Sequence, residues 1–245
     1  MSEQVDIKQV NIAFAGLTAA GKTTHSKILA EQLGFEYISA TKTILDIMGM
    51  DKDPDRAWLD SYDEIEKARE GDRADIELEA RMTELANTHS GLVLDTWAMA
   101  WIYNGSTPMV RLWIESDEDS RTRKCFVSQG SDKQRDLDAS RLLINQKDGD
   151  TRTKFIRRLG FDLFTDRHRY DVIVDNTQLI PEATEASAKT GIKIFSPVVL
   201  AAVKYCINKI TNPSFDIDSN YAKNLIRSSN GMIISLGSEH KESYE

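Results

Sequence analysis

At 245 residues, with 40% hydrophobic and 29% charged side chains, the chain can bury a full core in one α/β domain with decorations. Its net charge of −8 argues against a nucleic-acid partner, which would want a broad basic field. Apolar runs such as Val198 to Val203 are too short to span a bilayer, and the polar start, Met1 to Lys8, lacks a signal peptide's apolar stretch. The expectation is a cytoplasmic protein with no membrane partner.

In chain order, Val10-Asn11-Ile12-Ala13-Phe14-Ala15 is a short apolar run ending at Gly16, which reads as a buried strand entering a turn. Ile28, Leu29 and Leu33 then recur at helical spacing, and Gly34 supplies the stop. Phe35 to Ile38 is a second strand. Trp58 to Ala86 is helical and highly charged. Leu92 to Asp95, Val110 to Ile114 and Asp171 to Asp175 are three further strands. Between the last two, Glu118 to Arg158 is helical, interrupted around Gly130 and again around Gly149. Ser196-Pro197 reads as an N-cap and first helical residue of a helix to about Ile210. Asn212 to Glu245 is polar, rich in Ser and Asn, and receives no role. Strands alternating with helices predict repeated βαβ units, hence a parallel sheet with helices on both faces. The expected division is a core over 1–180 and a C-terminal helix with a polar tail over 181–245. Cys125 and Cys206 fit a reducing compartment and have no metal-binding spacing.

The segment from Gly16 through Gly21, Lys22 and Thr23 fits G-x-x-x-x-G-K-[ST], between a strand and a helix. By residue frequencies such a match is roughly a one-per-cent coincidence. The glycines let the backbone wrap a phosphate, and small Ala19 and Ala20 leave room. Amides from Thr18 to Thr24 and the helix N-terminus face the anion. Lys22 reaches the β- and γ-phosphates of ATP, and the Thr23 hydroxyl ligates Mg²⁺. No Asn-Lys-x-Asp motif follows a later strand, as a GTPase would show, and no apolar strand ends in paired acids, as an AAA-type ATPase would show. A kinase is the reading that remains.

Asp95 closes an apolar strand at the carboxyl edge, where ligands sit in open α/β sheets. It could position Mg²⁺ and its water, accept a proton from an acceptor hydroxyl, or merely cap the turn. Arg152, Lys154, Arg157, Arg158, Arg167 and Arg169 form a basic cluster that is either a solvated face or a patch meeting phosphates. His25 reads as a helix-surface residue, and Asp175 as the end of a structural turn.

With these blocks in this order, from Asn11 to Thr177, the sequence resembles the cytidylate kinases, especially the short archaeal type. The carriers are the phosphate loop, Leu33-Gly34-Phe35-Glu36-Tyr37-Ile38, Leu92 to Asp95 with Trp101, Arg111 to Ile114, Gly160-Phe161-Asp162 and Tyr170 to Asp175. The resemblance implies a P-loop kinase fold with a five-stranded parallel sheet of order 2-3-1-4-5. It also implies a helical acceptor insert near 39–90, a lid near 130–165, and transfer of the ATP γ-phosphoryl group to a nucleotide phosphate. Arg123 falls where the family has a lid-hinge arginine, and either touches ATP or makes a surface ion pair.

The departures fall on the acceptor side. Leu45 and Trp97 stand where the resemblance would place two phosphate-gripping arginines. Lys147 and Lys154 fall near two lid arginines, and a shifted alignment favours Arg152 instead, as a catalytic cation beside Lys22 and Asp95. Lysine keeps the charge but loses the bidentate fork. Ser39, Lys42, Arg81, Trp97, Lys147 and Lys154 are the expected acceptor-binding residues, with Lys42 or Arg81 compensating for the missing arginines. Trp97 either stacks on an acceptor ring or packs the insert with Trp101. Arg73, Asp75 and Arg81 lie in the acceptor insert, where Asp75 and the nearby acids are expected to be solvated. The acceptor is then a nucleoside monophosphate or a hydroxyl compound, used by a monomer or homodimer. The alternative is a regulatory or binding protein that kept the phosphate loop without kinase activity.

Overall fold

A computed structural model describes residues 7–130, 136–212, 215 and 220–237. Parts of the expected lid (131–135), core (1–6) and tail (213–214, 216–219 and 238–245) lie outside the described residues.

The strands are β1 (Asn11–Gly16), β2 (Glu36–Ser39), β3 (Leu92–Asp95), β4 (Met109–Glu115), β5 (Val172–Asp175) and β6 (Ile233–Leu236). The helices are α1 (Lys22–Leu33), α2 (Ala40–Met48), α3 (Ala57–Asp60), α4 (Tyr62–Ala68), α5 (Arg73–Thr88), α6 (Met99–Ile102), α7 (Glu118–Gln129), α8 (Leu137–Leu159), α9 (Glu185–Thr211) and α10 (Asn220–Ser228). Their sheet runs β2-β3-β1-β4-β5-β6. The first five strands are parallel, in the order expected, so β1 and β3 lie side by side with Phe14 opposite Asp95. All six β1 residues are buried because the strand has helices on both faces. Asn11 ties β1 to its neighbours. Its amide donates to the Ala86 and His89 carbonyls at 3.0 and 2.9 Å, and its Oδ1 accepts from the Leu92 amide at 3.0 Å.

The sheet differs from expectation at its far edge. The tail supplies β6, which pairs antiparallel with β5, and α10, whose Ala222 joins the core. Alternation inside this four-residue strand is hidden by the polar stretch around it.

Three helix readings also change. Ser196-Pro197 does not open a helix: α9 begins twelve residues earlier, capped by Thr184, whose hydroxyl accepts from the Ser187 amide at 3.1 Å. Pro197 sits inside it, and tertiary packing overrides the local signal: Phe195, Val199, Ala202 and Val203 are buried against β1, β4 and β5 residues. By length and composition α9 could cross a membrane; here its apolar face packs on the sheet. Gly149 does not interrupt α8, which runs through it for 23 residues. The charged stretch 58–86, by contrast, breaks into three helices: Ser61 leaves helical geometry between α3 and α4, and Gly71 and Asp72 adopt positive φ of 83° and 63° before α5 starts.

Candidate functional site

The loop Leu17–Gly21 leaves β1 and enters α1 at the carboxyl edge of the sheet. Ala19 and Gly21 sit at positive φ (60° and 97°), which lets the chain curl back on itself, and the Ala20 amide bonds the Leu17 carbonyl at 3.1 Å. Close approach fixes the glycine at 16: a Cβ there would lie 2.9 Å from the Ile114 carbonyl oxygen. No side chain caps α1, and its first turn carries no acid. Its first-turn amides therefore keep no intrahelical partner and present positive potential to the cleft.

Lys22 leaves this turn to donate to the Leu17 carbonyl at 2.9 Å, with its ammonium 4.9 Å from the centre of the Trp97 ring. Burial pushes its pKa down to about 8, against the opposing pull of Asp95 and Asp148. The Thr23 hydroxyl donates to Asp95 Oδ2 at 2.7 Å, and the Tyr37 hydroxyl reaches the same oxygen at 3.2 Å. So β2, β3 and α1 converge on one carboxylate. Desolvation, followed by the Asp95 charge, drives the Tyr37 phenol well above its ordinary range, so it donates to Asp95 as a neutral group.

A buried ion pair holds the loop from behind. Arg121 of α7 and Asp148 of α8 bond one another, Arg121 donates to the Thr18 carbonyl at 3.1 Å, and Asp148 Oδ1 accepts from the Thr18 amide at 2.9 Å. Neither residue stands out in the sequence. They lie 27 positions apart and show their purpose only when α7 and α8 pack side by side. Asn176 after β5 adds a third restraint, donating to the Ala20 carbonyl at 2.8 Å while its oxygen accepts from Lys124. Burial pushes Lys124 down to about 7.

Opposite the loop lies a cleft of about 670 Å³. One end runs between α1, α7 and the start of α9, past His25, Lys124, Ile180, Ile192 and Phe195. The other runs under the insert helices, past Ser39, Arg69, Asp75, Glu79, Met82 and Trp97. Lys147 of α8 spans the middle, its ammonium 4.3 Å from the Trp58 ring, and burial pushes it down to about 7 with the positive charges of Lys22 and Arg69 assisting.

Of the residues singled out from sequence, Thr18, Ala19, Gly21, Lys22, Thr23, Thr24, Ser39, Asp95, Trp97 and Lys147 line this one cleft; Gly16 and Ala20 are part of the loop itself. Others point elsewhere. Arg152 is exposed on α8 and pairs with Asp162 through two bonds of 3.0 and 2.5 Å. Arg81 is exposed and pairs with Glu77, Lys154 pairs with Glu66, and Lys42 is exposed on α2. Arg123 donates to the Ile180 carbonyl at 2.6 Å. Leu45 is buried against Ala57 and Ile65, where it holds the insert together. Trp97 both lines the cleft and packs edge-on against Phe155, with 6.1 Å between ring centres. Trp101 stacks on Phe161 at 4.4 Å, outside the cleft lining.

The rest of the basic cluster is also engaged by the fold: Arg157 with Asp72, Arg158 with Glu79, Arg167 with Glu115, and Arg169 with the Trp101 carbonyl. Two sequence readings are reversed by packing. His25 is buried, edge-on to Phe195 with its Nδ1 3.2 Å from the Ser196 hydroxyl, and burial lowers its pKa to about 4. Asp75 is buried rather than solvated, because α5 turns it toward Arg69.

Among the described residues no group of three or more His, Cys, Asp or Glu side chains could hold a metal ion. The donor set at the loop, one hydroxyl and one carboxylate, fits a Mg²⁺ that takes its remaining oxygens from substrate phosphates and water.

Residues 11–178 match the sequence model of the cytidylate kinase-like family. The chain is 22% identical over 186 residues to the cytidylate kinase of Natronomonas pharaonis, covering 76% of this chain and 91% of that protein. It is 24% identical over 169 residues to the cytidylate kinase of Methanococcus vannielii, covering 68% and 90%. Among solved structures, a shikimate kinase from Bacteroides thetaiotaomicron superposes with a TM-score of 0.47 at 15% identity, covering 78% of this chain and 98% of that one.

Proposed function

The chain belongs to the cytidylate kinase-like family, and from that premise we propose that it transfers the γ-phosphoryl group of ATP to a small acceptor, a nucleoside monophosphate or a hydroxyl compound, bound under the insert. One observation carries the reading. The phosphate loop, with Lys22 and the Thr23–Asp95 pair, opens onto a cleft of about 670 Å³ that is lined both by the start of α9 and by the insert helices. The first-turn amides of α1 and the Lys22 ammonium would hold the β- and γ-phosphates. Thr23 and Asp95 would hold Mg²⁺, which when bound would supply charge neutralisation to the phosphates. Asp95 would take the proton of an attacking hydroxyl, or orient the metal's water if the acceptor is a phosphate. Lys147, between the two ends, would meet charge developing on the transferred group. Arg152 would join only if its pair with Asp162 opened. Cys125 and Cys206 are both buried, which suits a reducing compartment, and we place the enzyme in the cytoplasm as a monomer or homodimer.

The test is acceptor-stimulated ADP release from ATP, compared with the Lys22→Ala variant. Stimulated release that falls about 10²–10³-fold in that variant is expected. ADP release indifferent to every acceptor and to Lys22 would leave a nucleotide-binding protein without kinase activity.

A further inference from the structure

The insert end of the cleft contains a carboxylate oxygen with nothing to accept from. Asp75 is 3% exposed. Its Oδ1 accepts from the Nε and Nη2 of Arg69 at 3.2 and 2.5 Å, whereas its Oδ2 is buried and has no hydrogen-bond partner among the described residues. A buried acceptor left unpaired costs about 1–3 kcal/mol, more for a charged group, so such an atom in a cleft wall calls for a donor from a ligand. Glu79 lies one turn along the same face of α5 and lines the same cleft.

The guanidiniums nearby and Lys154 are already committed, whereas Lys147, which also lines the cleft, makes a ring contact with Trp58 and is left for the transferred group. Arg69 donates to Glu66 at 2.6 Å as well as to Asp75, Arg158 pairs with Glu79 at 2.8 Å, and Lys154 pairs with Glu66. Between these groups the wall is apolar, from Leu78, Met82, Met99, Trp97 and Phe155. A phosphate dianion placed here would face two carboxylates and find the guanidiniums engaged. A neutral ring with hydroxyl or amino groups would cover the apolar wall and supply the donors that are lacking.

We propose that this end of the cleft takes an unphosphorylated, nucleoside-like acceptor whose O–H or N–H groups donate to Asp75 Oδ2 and Glu79, and whose phosphorylated group is a hydroxyl brought to Asp95. The inference rests on the kinase reading above. In the reaction, the acceptor oxygen forms a bond to the γ-phosphorus of ATP as the bond from that phosphorus to the β–γ bridging oxygen breaks. ADP leaves with the bridging oxygen. The hydroxyl proton passes to the Asp95 carboxylate and then to solvent, so no further reactant is needed.

The experiment measures ADP release from ATP with cytidine, uridine, adenosine and guanosine, each against its own 5′-monophosphate. In the wild-type protein at least one nucleoside should exceed its monophosphate by about tenfold or more in kcat/KM. Asp75→Asn should lower that nucleoside's kcat/KM by about 10- to 100-fold, the loss expected for one charge-assisted hydrogen bond, with ATP affinity unchanged. Glu79→Gln, less buried and safer for folding, should lower it by a smaller factor. A monophosphate preferred in every pair would overturn the proposal. So would an Asp75→Asn protein that binds ATP normally and keeps the full nucleoside rate, or ADP release that no nucleoside stimulates. The kinase reading fails separately: it falls if ATP does not bind or if Lys22→Ala changes nothing, whereas transfer to CMP alone would sink only the inference about the acceptor.

Discussion

The two ends of the cleft are built by opposite means. At the proposed donor end, nine consecutive residues from Gly16 to Thr24 form the loop and the first turn of α1, and Lys22 is the one charged side chain among them. At the proposed acceptor end, Ser39, Arg69, Asp75, Glu79 and Trp97 come from four separate parts of the chain. Charge there arrives in pairs that neutralise one another across helices. A backbone cradle recognises what all nucleoside triphosphates share. A mosaic of paired side chains can discriminate, because each unpaired atom left over selects a ligand group.

Four measurements would break or sharpen that contrast. Asp95→Asn, at the junction of the two ends, keeps the shape and can still accept from Thr23 but removes the negative charge. Turnover should fall about 10²–10⁴-fold, with ATP affinity changing far less because Lys22 and the loop amides carry it. Near-normal turnover would reduce Asp95 to a turn cap.

Asp148→Ala asks whether the donor loop depends on distant residues after all. It leaves Arg121 buried without its partner, so stability should drop by about 3–5 kcal/mol, visible as a lowered midpoint in denaturant. ATP affinity should weaken with it, since the Thr18 amide loses its restraint. An unchanged midpoint would mean the local loop is self-sufficient.

Next in size is a pH effect. His25 titrates near 4 in the folded chain and near 6.5 when unfolded, so between those values the unfolded state binds the extra proton. Stability should therefore be intact above pH 6.5 and fall as pH is lowered toward 4, by up to about 3 kcal/mol. Unfolding midpoints of the wild type and His25→Gln across that range would show it. Equal slopes in the two proteins would assign the acid sensitivity elsewhere.

The smallest effect is expected at Arg152. Its pair with Asp162 is exposed, so Arg152→Ala should cost about 0–1 kcal/mol of stability. Turnover should stay within about twofold of wild type. A loss of turnover beyond tenfold would show that Arg152 leaves Asp162 to reach the phosphates during the reaction.

The same contrast explains what could be read from the sequence. The loop and its flanking strand and helix were legible because consecutive residues make them, whereas the order of the five strands came only through the resemblance to the cytidylate kinases. Asp95 was legible because it ends a buried strand. The clamp of Arg121 and Asp148 was not, because α7 and α8 meet only in the folded chain. Asp75 looked like one acid among many on a charged helix until α5 turned it onto Arg69. Leu45 and Lys42 stand three residues apart on α2, and only packing shows that the leucine is buried in the insert while the lysine faces solvent. His25, Pro197 and Gly149 misled in a common way. Each has a strong local preference that helix–helix or helix–sheet packing overrode.

The antiparallel strand β6 has a consequence for how the chain is made. Strand β5 is synthesised roughly 60 residues before its partner, and at about 5–20 residues per second its outer edge waits several seconds on the ribosome. Over that interval Val172 to Asp175 present unpaired amides and carbonyls to any neighbouring chain. A protein ending at Thr211 would keep the whole cleft yet never cover that edge, and its light scattering during refolding should exceed that of the full chain. The last strand is thus a seal: it adds nothing to the cleft lining and protects the sheet on which the cleft is built.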